Sequence, residues 1–258
     1  MLESDFSERV NPVQAYFHKL PLVTGTQAID ELTATVTVRN ARHWSEYLTK
    51  WLVGVVANAT NDLGCQNHVC LVLTGERGKF KTTWLDNLCP RSLASYLFTG
   101  KIDLQNKDVL TLVAEYLFIN IDDQLKALNK RDENELKNLI TAPSVKYRRP
   151  YDVYIEEYPH LASFMPSVNG NDFLTDPTGS RRFLPFEVLS IDIDRAIWVN
   201  MDQVYAEART LLHNGFRYWF DETEIEELHR GNAAFHVQTI EYEMLLKGFE
   251  KPPEHAVT

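Results

Sequence analysis

The sequence predicts an α/β fold with a mainly parallel central sheet flanked by helices, and helical segments at both ends. Three observations carry that expectation. Short, continuous apolar runs alternate with segments whose large side chains fall at helical spacing, as strands buried on both faces alternate with helices. One run, over 69–73, ends in Gly75 and a short polar loop before Lys81-Thr82-Thr83 opens a helical segment. Another, LFINI, ends in Asp122 and Asp123, which places two carboxylates at the end of a strand.

In chain order, residues 11–22 contain two prolines and read as an irregular lead-in. From 44 to 59 the large apolar side chains fall at 44, 47, 48, 51, 52, 55, 56 and 59, one stripe on a helix of about four turns. Trp44 and Trp51 belong to that stripe and need no role beyond packing. Residues 69–73 form a buried strand, and 82–88 the helix after the loop, stopped by Pro90. The stretch LTLVAEYLFINI over 110–121 supplies a second apolar run. Leu125, Leu128, Leu136, Leu139 and Ile140 then return to helical spacing. A third strand is expected over 161–168, ending at Asn169. A fourth, over 183–188, is entered through the turn-rich Asp176-Pro177-Thr178-Gly179. Nearer the C-terminus, Asn200 with Gln203 and Asp221 with Glu224 fit capping boxes, and Gly215 suits a helix C-cap. The elements divide into a helical segment over 1–62, an α/β core over 63–195, and a helical segment and tail over 196–258, packed as one compact domain.

With 258 residues, 44% of them hydrophobic, the chain can bury a full core. The N-terminus, MLESDFSERVNPVQ, lacks the apolar centre of a signal peptide, and no run is long enough to span a bilayer. A cytoplasmic protein with no membrane partner is expected. Cys65, Cys70 and Cys89 lack paired metal-ligand spacing, and Cys70 and Cys89 read as reduced thiols in apolar surroundings. Eight scattered histidines form no H-x-x-x-H pair, which argues against a structural metal. The formal net charge of −10 argues against a surface that coats nucleic acid uniformly. The acidic run over 221–227 reads as a solvated helix face, whereas basic clusters at 146–149 and at Arg181-Arg182 lie beside the candidate site.

That site starts with the loop Gly75-Glu76-Arg77-Gly78-Lys79-Phe80-Lys81-Thr82-Thr83. Its layout is that of a phosphate-binding loop, in which backbone N–H groups wrap the phosphates, Lys81 reaches the terminal phosphates and the Thr82 hydroxyl holds Mg²⁺. The usual pattern is G-x-x-x-x-G-K-[ST], and Phe80 stands where the second glycine belongs. Asp122 is placed for the Mg²⁺ shell and Asp123 to orient or deprotonate an attacking water. Asn169, at the end of the third strand, suits a hydrogen bond to the γ-phosphate or that water. Arg181 and Arg182, between a turn and a strand, point to opposite sides of the chain. One can stabilise charge on a transferring phosphoryl group while the other pairs structurally; the sequence leaves open which. Lys146, Arg148 and Arg149 are candidates for a phosphate backbone, with Tyr147 and Tyr151 beside them to stack on bases or to pack.

The order GERGKFKTTWLDNLCP, LFINIDD, ASFMPSVN and FLTDPTGSRRFLPFEV resembles the virulence-associated E family of P-loop proteins. These are encoded largely by bacterial mobile elements and phages and are related to primase-helicase ATPases of the superfamily-3 type. The resemblance runs from about Asn11 to His229, and DPTGSRRF is its most specific part. It implies a P-loop NTPase fold, ATP and Mg²⁺ as cofactors, and hydrolysis coupled to work on single- or double-stranded DNA in mobile-element or phage replication or defence. It further implies a ring-like homo-oligomer whose arginine comes from the neighbouring protomer, and a primase or other mobile-element protein as partner. On the family pattern Gly75, Gly78, Lys81 and Thr82 are the nucleotide loop, Asp122-Asp123 the second motif, Asn169 the sensor, and Arg181 or Arg182 the arginine that reads the γ-phosphate. The chain departs from it at Phe80 and at Asp123, where many ATPases use the longer Glu. Two alternatives stand beside this reading: a non-catalytic module that keeps nucleotide as a structural ligand or switch, and a small-molecule kinase, which leaves DPTGSRRF without a role.

Overall fold

The computed structural model describes residues 11–61, 65–149, 152–176 and 180–237. The chain opens with α1 (Pro12–Lys19), α2 (Gln27–Thr33), the short strand β1 (Val36–Val38) and the long helix α3 (Trp44–Thr60). Strand β2 (Cys70–Thr74) leads through the polar loop into α4 (Lys81–Asp86). Then come β3 (Leu97–Gly100), α5 (Val109–Glu115), β4 (Phe118–Ile121) and α6 (Lys130–Thr141). A hairpin of β5 (Ser144–Tyr147) and β6 (Glu156–Pro159) precedes β7 (Ser163–Phe164) and β8 (Phe183–Ile191). Helices α7 (Ile193–Ala196), α8 (Met201–His213) and α9 (Glu222–Asn232) follow.

The fold is mixed α/β, but its sheets are small and mixed where one mainly parallel central sheet was expected. One has the order β1-β8-β2, with β8 parallel to β2 and antiparallel to β1. The second, β3-β4-β7, is parallel throughout, and the third is the β5-β6 hairpin. The expected third strand explains the difference. Only Ser163 and Phe164 pair regularly with β4, and Pro166 has no N–H to continue a ladder. Beyond it Ser167 bridges both Leu73 and Asp122 and so links the two larger sheets: Leu73 N–H donates to Pro166 O at 3.1 Å and Val168 N–H to Leu73 O at 2.9 Å.

Two other expectations change. Residues 12–19 are helical, because Pro12 in the first turn has no donor to lose and the Asn11 side chain accepts from the N–H groups of Val13 and Gln14. The 110–121 run is split between α5, which buries Val109 and Val113 at i, i+4, and the four-residue β4. Several other landmarks hold, although of the two expected capping boxes only that at Asp221 is reciprocal. Helix α3 buries its expected stripe and more, since α1, α2 and α8 all pack on it. Leu48, Trp51, Leu52, Val55 and Val56 are fully buried there, each contributing roughly 1.5–3 kcal/mol or more of transfer free energy. Asp221 and Glu224 form a complete capping box, Asn200 accepts from the N–H of Asp202 and Gln203, and Gly215 closes α8 at φ +79°. All three cysteines are free and buried, and burial pushes the thiols of Cys65 and Cys89 up to about 12. Among the described residues no helix is long and apolar enough to cross a membrane.

Candidate functional site

Three chain segments converge where β2 and β4 end. Gly75 and Gly170 exchange backbone hydrogen bonds, and Asp123 N–H donates to Ser167 O at 3.0 Å. Only glycine fits at 75, where φ is +126° and a Cβ would lie 2.8 Å from Val188 O. The loop then passes through Gly78 at φ +77° and Phe80 at φ +57°. Among the described residues the non-glycine positions with positive φ are Phe80 and Asp123 (φ +48°), both in this site. Left-handed backbone at residues carrying a Cβ is strain that the surrounding structure must hold in place. The Phe80 ring is 54% exposed, so it turns to solvent even though φ is positive.

Lys81 is buried and folds back on its own loop. Its Nζ donates to Gly75 O at 3.1 Å, Glu76 O at 2.6 Å and Asn169 Oδ1 at 3.3 Å. Burial lowers its pKa below the ordinary lysine value, against the opposing pull of Asp123 and Asp122. Burial alone raises the Asp123 carboxyl. The Asn169 N–H at 3.0 Å, the Arg77 guanidinium at 3.8 Å and Lys81 outweigh that and hold it below the usual carboxylate range. Thr82 Oγ1 lies 2.9 Å from both Asp122 Oδ1 and Ser167 Oγ. Asn120, one strand position before Ile121, ties β4 to α4 by donating to Asp86 at 2.7 Å. Lys79 pairs with Glu76 at 3.5 Å, and Thr83 faces solvent. The structure therefore brings together Gly75, Lys81, Thr82, Asp122, Asp123 and Asn169.

It does not bring Arg181 or Arg182 to them. The two arginines sit in a 3₁₀ turn (Ser180–Arg182) at the start of β8, where Phe183 is level with Cys70, whereas Glu187 is level with Thr74. Four strand residues, about 13 Å, separate the two levels. There the arginines line a cavity of ≈ 300 Å³ with Gln66, His68, Tyr218 and Trp219. Arg182 Nε is buried with no hydrogen-bond partner among the described residues, and burial with the Arg181 charge lowers its pKa below the usual arginine value. The turn is anchored on both sides. Ser180 Oγ meets His229 Nδ1 at 2.9 Å, and Asn232 donates to Ser180 O and Phe183 O. Upstream, buried Asp176 takes Lys137 Nζ at 3.2 Å, which also pairs with Glu133 at 2.7 Å. Of the expected Asp176 turn, residues 177–179 lie outside the described residues, as does Tyr151.

In the hairpin, Lys146 pairs with Glu157 at 3.3 Å, Arg148 is exposed, and the Arg149 guanidinium lies 4.7 Å over the Tyr158 ring. Tyr147 packs: it stacks on Tyr158 at 4.5 Å and is buried. Val153, Tyr154 and Ile155 lie 70–77% exposed between the two strands. Sequence reasoning passed over this apolar triplet, and also Ser167, Lys137 and His229. Ser167 had a usable signal, since period-2 alternation puts 167 on the same side of an extended segment as Asn169.

A family model for the virulence-associated protein E-like domain matches residues 19–237. No curated protein matches the chain. Among solved structures, the apo structure of the NrS-1 C-terminal region is similar at a TM-score of 0.52 and 13% identity, covering 95% of this chain and 56% of that one. A second apo form of the same region gives 0.52 at 15% identity, with 95% and 55% covered. At these identities the likeness concerns the fold, and this chain spans little more than half the length of those it matches.

Proposed function

Since the chain belongs to the virulence-associated protein E-like family, we propose that it is a Mg²⁺-dependent ATPase acting with DNA in replication of, or defence by, phages and mobile elements. One copy's arginines complete its neighbour's nucleotide site. In this reading the two larger sheets, joined at Leu73 and Ser167, act as one P-loop sheet with β1 as its antiparallel edge.

The observation that carries the reading is Lys81. A buried ammonium held by two loop carbonyls and Asn169, next to Asp122 and Asp123, is poised to exchange those partners for the terminal phosphates of ATP. Thr82 and Asp122, with oxygens 2.9 Å apart and Asp122 open to solvent, fit a hard cation. Bound there, Mg²⁺ neutralises charge on the phosphates. Asp123, oriented by the Asn169 N–H and by Arg77, takes the proton of the attacking water, and the Asn169 amide fixes the position of the γ-phosphate. Arg181 or Arg182 meets the developing charge from the adjacent copy, because its own loop lies at the other end of the strand. Arg148 and Lys146, with the apolar tip at 153–155, are the surface offered to DNA.

Phe80 favours a second reading, a module that binds nucleotide without efficient turnover. ATP hydrolysis measured alone and with single- or double-stranded DNA decides between them. Turnover stimulated by DNA supports the first, binding without turnover the second, and absence of binding overturns both.

A further inference from the structure

Thr82 Oγ1, Asp122 Oδ1 and Ser167 Oγ form a closed triangle whose three edges are each 2.9 Å. Two hydroxyls bring two protons to three edges, so one edge has none. When both hydroxyls donate to the carboxylate, Thr82 and Ser167 face each other lone pair to lone pair at hydrogen-bond distance. A cation removes that conflict, because the lone pairs converge on it and the hydroxyl protons turn outward. The size also fits. With Mg–O bonds of about 2.0–2.1 Å at right angles, adjacent oxygens of an octahedral shell lie about 2.9–3.0 Å apart.

The three oxygens come from three parts of the fold: α4, the end of β4 and the segment after β7. Ser167 is the buried member, 3% exposed, whereas Asp122 faces solvent and leaves an entry path. The Ser167 backbone cannot drift, because its carbonyl accepts Asp123 N–H and it bridges both Leu73 and Asp122. Its hydroxyl is therefore held where Thr82 and Asp122 meet before any ligand arrives.

We propose that Ser167 is a third protein oxygen of the divalent-cation site, beside Thr82 and Asp122, and that it tunes the site to a small, hard cation. The inference rests on the nucleotide reading above. Its test uses the full chain with a non-hydrolysable ATP analogue, titrated by calorimetry in EDTA, in Mg²⁺ and in Cd²⁺. Ser167→Ala should lose tenfold or more of the Mg²⁺-dependent affinity while affinity in EDTA stays unchanged. Ser167→Cys should be equally weak with Mg²⁺ and regain affinity with Cd²⁺, because a thiolate prefers a soft cation. It should also show a thiolate–cadmium absorption band above that of the wild-type chain, whose own cysteines are buried. Undiminished Mg²⁺-dependent affinity in Ser167→Ala overturns the assignment, as does a weakened Ser167→Cys with neither Cd²⁺ rescue nor the band. Wild-type chain that binds no analogue overturns the nucleotide reading, and this inference falls with it.

Discussion

At the loop end of β2 the cations find partners within the chain: Lys81 on two carbonyls and Asn169, Lys79 on Glu76, and Arg77 on Asp123. At the opposite end, where β8 begins, Arg182 keeps a buried Nε with no partner among the described residues and lies beside a second arginine. A buried donor left unpaired costs about 1–3 kcal/mol, and like charge adds to it. The turn that carries it is nonetheless pinned by Ser180–His229, Asn232 and the Asp176–Lys137–Glu133 network. In the proposed function this Nε, without a partner among the described residues, meets one on another copy. The two edges thus differ in kind: the loop edge pairs its cations within the chain, whereas the arginine edge, in the proposed function, is completed by another copy.

The sharpest way to break this contrast is to remove the arginines. Arg181→Ala or Arg182→Ala should spare ATP binding and lower hydrolysis by roughly 10³-fold or more, the scale of trans-acting arginines in other P-loop enzymes. Mixing the inactive arginine variant with Lys81→Ala should restore measurable turnover, because some interfaces then pair an intact loop with an intact arginine. Mixed oligomers confirmed by mass but without activity would place the arginine's work inside one subunit. Normal hydrolysis in both single variants would make DPTGSRRF a structural turn.

Next in size is the anchor of that turn. Lys137→Met removes the cation that buried Glu133 and Asp176 share, while Lys130 stays 3.8 Å from Asp176. A broken buried pair costs about 3–5 kcal/mol, which should appear as a lower denaturant midpoint. In whatever fraction stays folded, hydrolysis should fall more than ATP affinity if the network positions the arginines. Equal falls in both would mean that it serves the fold as a whole. Smaller again is Lys81→Ala at the other edge. It should weaken ATP binding by about 1.5–3 kcal/mol, some 10- to 150-fold, with circular dichroism unchanged. Unaltered affinity in calorimetry would remove the loop from the site.

What the sequence made legible follows from how local each signal is. The α3 stripe, the β2-loop-α4 unit and the caps at Asn200 and Asp221 depend on residues within a few positions, and all are present. The carboxylates at the end of β4 were legible because a strand end followed by Asp-Asp is itself local. The helix over 12–19 was missed because proline was weighed as a breaker, when Asn11-Pro12 is a start signal. The sheet pattern was misjudged because Pro166 interrupts pairing that apolarity alone cannot reveal. Ser167 meeting Thr82 and Asp122, or Lys137 meeting Asp176, depends on contacts 39 to 85 residues apart, which no periodicity encodes. The separation of the arginines from the loop needs the β2–β8 register.

The smallest effect tests the loop edge itself. Phe80 holds a left-handed backbone at a cost of about 1–2 kcal/mol for a residue with a Cβ, and its ring packs little, being 54% exposed. Phe80→Gly removes that strain but gives back about 0.4–1 kcal/mol through a freer unfolded chain. A net gain of about 1 kcal/mol should raise the melting temperature by roughly 2–4 °C. Phe80→Ala keeps the strain and loses the ring, so it should show no such gain, which separates backbone from side chain. Turnover in Phe80→Gly should remain within a few-fold of wild type, because a ring in solvent does not obstruct the phosphates. A large rise in turnover would mean that the ring swings over the loop when nucleotide arrives. The loop edge would then be the impaired half of the molecule, and the arginine edge the one that retains its design.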